Sequence, residues 1–352
     1  MRKILAASSI LITGFQTVNA FNIAFDYSND SSLFFNNATA KATLEKAAAD
    51  LSAVITSTLS PITTDVYTGT NGSTTATFDW KLTYTNPTSG ATVTLNTFTA
   101  AANTFTIYVG ARPLPGTTLG TGGIGGSGFS FGASGFESEF TGAVAAAETA
   151  SNNAMRRGTN MTFSSFTQNT TFGTTTTSYT VKTAPIIGNL WFDNDTNNDG
   201  TIDDLATLNA HWNFDFANTT FAGKDDFYSV ALHEITHSLG FGGSNSWSNN
   251  HSGTTWLGSS AVALNGGSGA GLLDSDQAHI VSSYMSTRVD NGAAQEAIMD
   301  PSLTQGTRKY ITRMDLAILQ DMGYQTVPEV NTGALLAVGL GGIFWLLRRK
   351  VA

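Results

Sequence analysis

One segment limits what this chain can fold into more than any other. It runs from Asp225 to Gly242 and reads Asp-Asp-Phe-Tyr-Ser-Val-Ala-Leu-His-Glu-Ile-Thr-His-Ser-Leu-Gly-Phe-Gly. Tyr228, Leu232, Ile235 and Leu239 recur at three- and four-residue spacing, so a helix here carries an apolar stripe that must be buried against a second layer. Asp225 is placed to cap its start and Gly240 to end it. His233 and His237 then lie one turn apart on the same side of the helix. Two imidazoles so placed reach one zinc ion, and Glu234 lies beside that ion, ready to take a proton from its bound water. The expected roles are metal ligand for His233 and His237, and general base for Glu234.

The chain has 352 residues and no cysteine, which excludes disulfides, thiolate metal sites and a cysteine nucleophile. A metal must therefore be held by His, Asp, Glu, backbone oxygen or water. The net charge of -9, with no cluster of Lys and Arg before the extreme C-terminus, argues against a nucleic-acid partner. Charged residues make up only 12%, so Thr, Ser, Asn and Gly must keep the surface wet, a composition suited to a chain outside the cytoplasm.

Both ends read as addresses. Arg2 and Lys3 precede an apolar run from Ile4 to about Phe15, followed by Val18-Asn19-Ala20. This is the pattern of a secretory signal peptide over residues 1–20, with the mature chain beginning near Phe21. At the other end Val327-Pro328-Glu329-Val330 leads into an apolar stretch from Ala334 to Leu347 and then Arg348-Arg349-Lys350. That stretch is shorter than the roughly 20 residues a spanning helix needs. The basic end is expected to stay cytoplasmic, with the preceding domain outside. Residues 326–352 resemble PEP-CTERM sorting tails, with Val330 where a second proline is usual; a plain membrane anchor is the alternative. Either reading implies export to the cell envelope or surface and contact with sorting or membrane machinery.

Between the ends, Phe21 to Tyr27, Ala76 to Tyr84, Phe105 to Val109 and Ile186 to Phe192 read as strands. Ala38 to about Leu59, with Leu44, Ala48, Leu51 and Ile55, reads as an amphipathic helix, and Gly142 to Met155 is compatible with another. Gly116 to Gly135 reads as a long surface loop, and the Thr-rich stretch around Thr174 to Thr177 as strand or loop. Strands followed by helices indicate an α/β domain over residues 21–325.

His233 through Phe241 resembles the active-site helix and turn of metzincin zinc peptidases, in particular the matrixin-like and leishmanolysin-like branches. Ala297-Ile298-Met299-Asp300-Pro301 is similar to their Met-turn. Thr312-Arg313-Met314-Asp315, a capping box, opens a helix like their final one. The resemblance implies a twisted mixed sheet above the active-site helix, Met299 in a turn beneath the metal, a zinc cofactor and peptide-bond hydrolysis of a protein or peptide substrate. Its specific part covers Asp225 to Tyr324.

One position departs from that pattern. The usual third histidine falls on Gly243, which has no side chain, and catalytic zinc normally takes three protein ligands. His211 precedes the helix beside Trp212, and His251 sits in a polar loop. His279 follows a Gly-, Ser- and Asn-rich stretch and the apolar pair Leu272-Leu273, where the chain is expected to re-enter the core ahead of Met299. His279 is the preferred third ligand; His251, Asp274, Asp276 or no third ligand are the alternatives.

A second constellation involves calcium. Asp195, Asn197, Asp199, Gly200 and Asp203 match loop positions one, three, five, six and nine of a calcium-binding loop, whereas the twelfth position is Ala206. Calcium at Asp195, Asn197, Asp199 and Asp203 and an acidic turn without metal both remain open. The functional rival to a peptidase is a surface-anchored binding or matrix protein with an inactive peptidase fold.

Overall fold

The structure, a computed structural model, describes residues 21–327. The expected signal peptide and the tail from residue 328 onward lie outside the described residues. In chain order the main elements begin with β1 (Asn22–Asp26), α1 (Ala38–Val54), β2 (Val66–Asn71), β3 (Thr74–Thr85), β4 (Thr92–Leu95), β5 (Thr104–Ala111) and β6 (Gly120–Ile124). They continue with β7 (Gly126–Ser134), α2 (Phe140–Met155), β8 (Ser164–Phe172), β9 (Thr175–Thr183), β10 (Ile187–Phe192), α3 (Phe227–Ser238) and α4 (Arg313–Asp321). The protein is a mixed α/β structure with several sheets.

The sheet next to the candidate site has the order β1-β5-β10-β6. β1 and β10 both run parallel to β5, and β6 pairs antiparallel with β10, so the sheet is mixed. β10 is buried along its whole length, which is why its sequence is a nearly continuous apolar run. α1 starts where the Asn37 side chain accepts the amides of Thr39 and Ala40, and it buries Leu44, Ala47, Ala48 and Leu51. Burying each leucine contributes about 1.5–3 kcal/mol. α1 packs beside α3, and the Tyr228 hydroxyl donates to Asp50 across that contact at 2.8 Å. One apolar cluster joins α1, this sheet, α3 and α4.

A second cluster lies between α2 and a sheet built around β3, which pairs with β2, β4 and β7. The hairpin β8–β9 closes it, turning at Gly173 and Thr174. The fully buried Arg157 ties the starts of β5 and β10 to the segments at residues 60 and 101 by donating to the carbonyls of Ser60, Ala101, Thr104 and Pro185. Burial pulls its pKa down to about 10.

Two local expectations need correction. The Gly-rich stretch 116–135 is largely two strands, β6 and β7, rather than a surface loop. Its glycines allow close approach: a Cβ on Gly122 would fall 2.1 Å from the carbonyl oxygen of Glu234. The helix start is also displaced. Asp226, not Asp225, caps α3 by accepting the Ser229 amide, and Arg308 pairs with its carboxylate at 2.8 Å.

Candidate metal centre

α3 positions the first two imidazoles. Tyr228, Leu232, Ile235 and Leu239 are all essentially buried, which fixes the rotation of the helix. The helix ends at Gly240, whose φ of +99° favours glycine, and the chain turns back under His237. There the Phe241 carbonyl lies 2.9 Å from His237 Nδ1. His233 Nδ1 lies 2.8 Å from the carbonyl of Ile298, the residue before the fully buried Met299.

The third imidazole comes from the loop after residue 271. Leu273 and Ile280, both buried, form an antiparallel bridge that closes a tight turn. Within it, Asp276 accepts the amides of Ala278 and His279 and lies 2.6 Å from His279 Nδ1. Burial opposes ionisation of Asp276, but these bonds outweigh it and leave the carboxyl below its ordinary value. The loop is pinned to its surroundings at two points. Ile280 donates its amide to the Met299 carbonyl, and a Cβ on Gly242 would fall 2.8 Å from the Ala278 carbonyl oxygen. Asp315 does more than close the capping box of α4. Its carboxylate also accepts the amides of Ile298 and Met299, tying that helix to the turn that supports His233.

The three Nε2 atoms meet. His237 is 3.0 Å from His233 and 3.0 Å from His279, and His233 is 3.2 Å from His279. These three contacts cannot all be ordinary hydrogen bonds. A carbonyl oxygen only accepts, so Nδ1 of His233 and of His237 carries the proton and each Nε2 presents a lone pair. Burial, then the neighbouring histidines, hold His233 well below its usual pKa and bring His237 to about 4, so neither relieves the clash by protonation near neutral pH. Converging lone pairs are stable around a cation. Three imidazole nitrogens on a tetrahedral zinc stand about 3.3–3.4 Å apart, close to the spacing here. Among the described residues, this is the one group of three or more His, Asp or Glu whose ligand atoms lie within 4.8 Å of one another.

Glu234 is buried and shares a cleft of about 670 Å³ with His233 and His279. Burial raises its pKa to about 8 against the opposing Gly122 amide. β6 runs over this side of α3 as the last strand of its sheet, and residues 116–120 line the cleft.

The other candidates lie elsewhere. His211 packs edge-on against Trp212 and faces Asp225 at 3.1 Å, and His251 lies against the Gly253 carbonyl. Neither belongs to the triad, nor does Asp274. Asp276 supports His279 instead of joining it. In the acidic loop, Asp195 accepts the amides of Asp199 and Gly200, Asn197 accepts that of Asp199, and Asp203 accepts the amide and hydroxyl of Thr196. The residues not singled out by sequence reasoning are Ile298 and Phe241, which act through main-chain carbonyls, and Gly122. No side-chain pattern marks a carbonyl, whereas the glycines of β6 were a visible signal read as a surface loop. No protein-family model, no curated protein and no solved structure matches the chain.

Proposed function

We propose that the protein is an exported zinc-dependent endopeptidase of metzincin type, with His233, His237 and His279 as ligands and Glu234 as general base. The observation that carries this reading is the convergence of three imidazole Nε2 atoms beside a buried carboxyl in one open cleft. Three histidines with room for a further ligand are the donor set of a catalytic zinc site. Zinc held by these three histidines would supply Lewis-acid polarisation of the scissile carbonyl and of the attacking water. Glu234 accepts the proton and returns it to the departing amine. The low-dielectric wall around Glu234 supports this role, because it keeps the carboxyl's proton affinity high enough for transfer in both directions. The free edge of β6 offers main-chain groups to an extended substrate, pairing it as an added strand. The mixed sheet, the active-site helix, the buried Met299 and the final helix follow the order the family resemblance implies.

The test is metal content and hydrolysis together. Zinc-loaded protein should cleave an unfolded protein substrate and lose that activity to a chelator. Glu234→Gln should keep the zinc and lose the activity, because the base is not a ligand. Undiminished hydrolysis by that variant overturns the mechanism, and zinc-loaded wild type that cleaves no peptide favours the inactive binding-protein reading.

A further inference from the structure

The cleft does not end at the histidines. From His233 it continues along α3 toward the helix start, a rise of about 9 Å between His233 and Phe227, and reaches Asp225, His211 and Asp193. Asp193 is 3% exposed and Asp225 4%. Oδ1 of Asp193 accepts the amides of Leu114 and Asp195, and among the described residues no hydrogen bond reaches Oδ2. Oδ2 of Asp225 meets Gln305 Nε2 and His211 Nε2, both at 3.1 Å.

We infer that this end of the cleft receives a lysine or arginine side chain of the substrate, adjacent to the bond that is cut. The inference rests on the peptidase reading and adds the substrate class. Among the described residues no lysine or arginine pairs with Asp193 or Asp225. Lys309 is the one such side chain lining the cleft, and it is engaged by Glu296 at 3.0 Å and by the Ser302 carbonyl at 2.7 Å. These two nearly buried carboxyl groups have one imidazole, that of His211, as their neighbouring basic side chain, so carboxylate charge here lacks a full set of counter-charges. Such charge is costly to bury until a cation joins it. Burial raises the Asp193 carboxyl above its usual value, as expected of an acid awaiting a counter-charge.

The walls fit the rest of such a side chain. Val230, Ile298 and Leu303 line the same cleft, so a methylene stem meets apolar surface while the charged head reaches the acids. An apolar guest would instead leave the carboxylates desolvated without partners, and an acidic guest would be repelled. A divalent cation is a poorer fit, because Asp193, His211 and Asp225 do not gather their ligand atoms within 4.8 Å as the histidine triad does.

The experiment uses quenched peptides of one neutral sequence in which a single residue is walked through the positions around the cleaved bond. At each position lysine is compared with norleucine, its neutral isostere, and with glutamate. Wild type should favour lysine over norleucine by about tenfold or more at one position flanking the cut, with glutamate poorest. Asp193→Asn and Asp225→Asn should each shrink that ratio, and the double variant should bring it near one. Zinc content and melting temperature identify variants that have simply misfolded. The same peptides are titrated onto zinc-loaded Glu234→Gln, which reads recognition without turnover. Lysine-selective binding with no cleavage by wild type removes the peptidase reading and leaves the acidic pocket standing. Cleavage or binding that treats lysine and norleucine alike at every position overturns the pocket.

Discussion

Replacing Asp276 by asparagine probes the one imidazole of the triad whose support is a side chain. His233 and His237 are held by main-chain carbonyls, which substitution does not remove, whereas His279 Nδ1 rests on Asp276 Oδ2 at 2.6 Å. Asparagine keeps the shape. Its oxygen can retain the amides of Ala278 and His279, but its other terminus is then a donor facing a donor. His279 loses its acceptor, its preferred tautomer and part of its basicity. Loss of such a partner typically lowers metal affinity 10–100-fold. The Asp276 side chain is 47% exposed, so solvent screening places the effect at the lower end: about tenfold, or about 1.4 kcal/mol. Competition with a chromophoric chelator measures the dissociation constant directly, and metal-free wild type and variant should melt together, since the change sits on an exposed turn. Affinity within twofold of wild type refutes the support role. A loss beyond about a thousandfold points to Asp276 as a ligand in its own right.

Three further outcomes are expected. His279→Ala should lose zinc and turnover while His251→Ala keeps both; the reverse pattern in metal analysis discards the triad. Burial keeps His233 and His237 deprotonated at pH 6.5 but leaves Glu234, raised to about 8, protonated in the metal-free protein. The charge of an arriving metal favours the carboxylate, so zinc binding at that pH should expel about one proton, mainly from Glu234. Calorimetry in buffers of different ionisation enthalpy counts it, and equal release by wild type and Glu234→Gln contradicts the assignment. Calcium at Asp195, Asn197, Asp199 and Asp203 should raise the melting temperature, by about 2.7 kcal/mol of stability at a hundred times its dissociation constant. Asp199→Ala should abolish the rise, and metal-free wild type that melts unchanged in millimolar calcium favours the acidic turn.

How far each part of the site could be read from sequence follows from how local its cause is. The helix carrying His233, Glu234 and His237 is specified within a few turns by its own apolar stripe, and α1 and α4 are equally local, with caps at Asn37 and Thr312. β10 announces itself by an apolar run buried on both faces. His279 required a longer chain of reasoning: no cysteine, no side chain at Gly243, and re-entry at Leu272-Leu273, two buried residues just ahead of it. Residue type did not say which way Asp276 would face, since a carboxylate beside a ligand histidine serves equally well as ligand or as hydrogen-bond partner until the turn around it is known. The choice of Asp225 as the helix cap failed for a related reason. Either side chain suits a helix start, and the choice is made by Arg308, 82 residues away, which claims Asp226 and leaves Asp225 to the cleft. The Gly-rich stretch was the least legible. A glycine can mark a place where something stands in the way of a side chain, as at Gly122, or open space, as at Gly128, and the sequence does not say which. At Gly122 the neighbour is the main chain of Glu234, reached only after the chain has passed through β10 and returned as α3. The contacts that shape the proposed chemistry are thus the non-local ones, where two segments far apart in sequence settle each other's conformation.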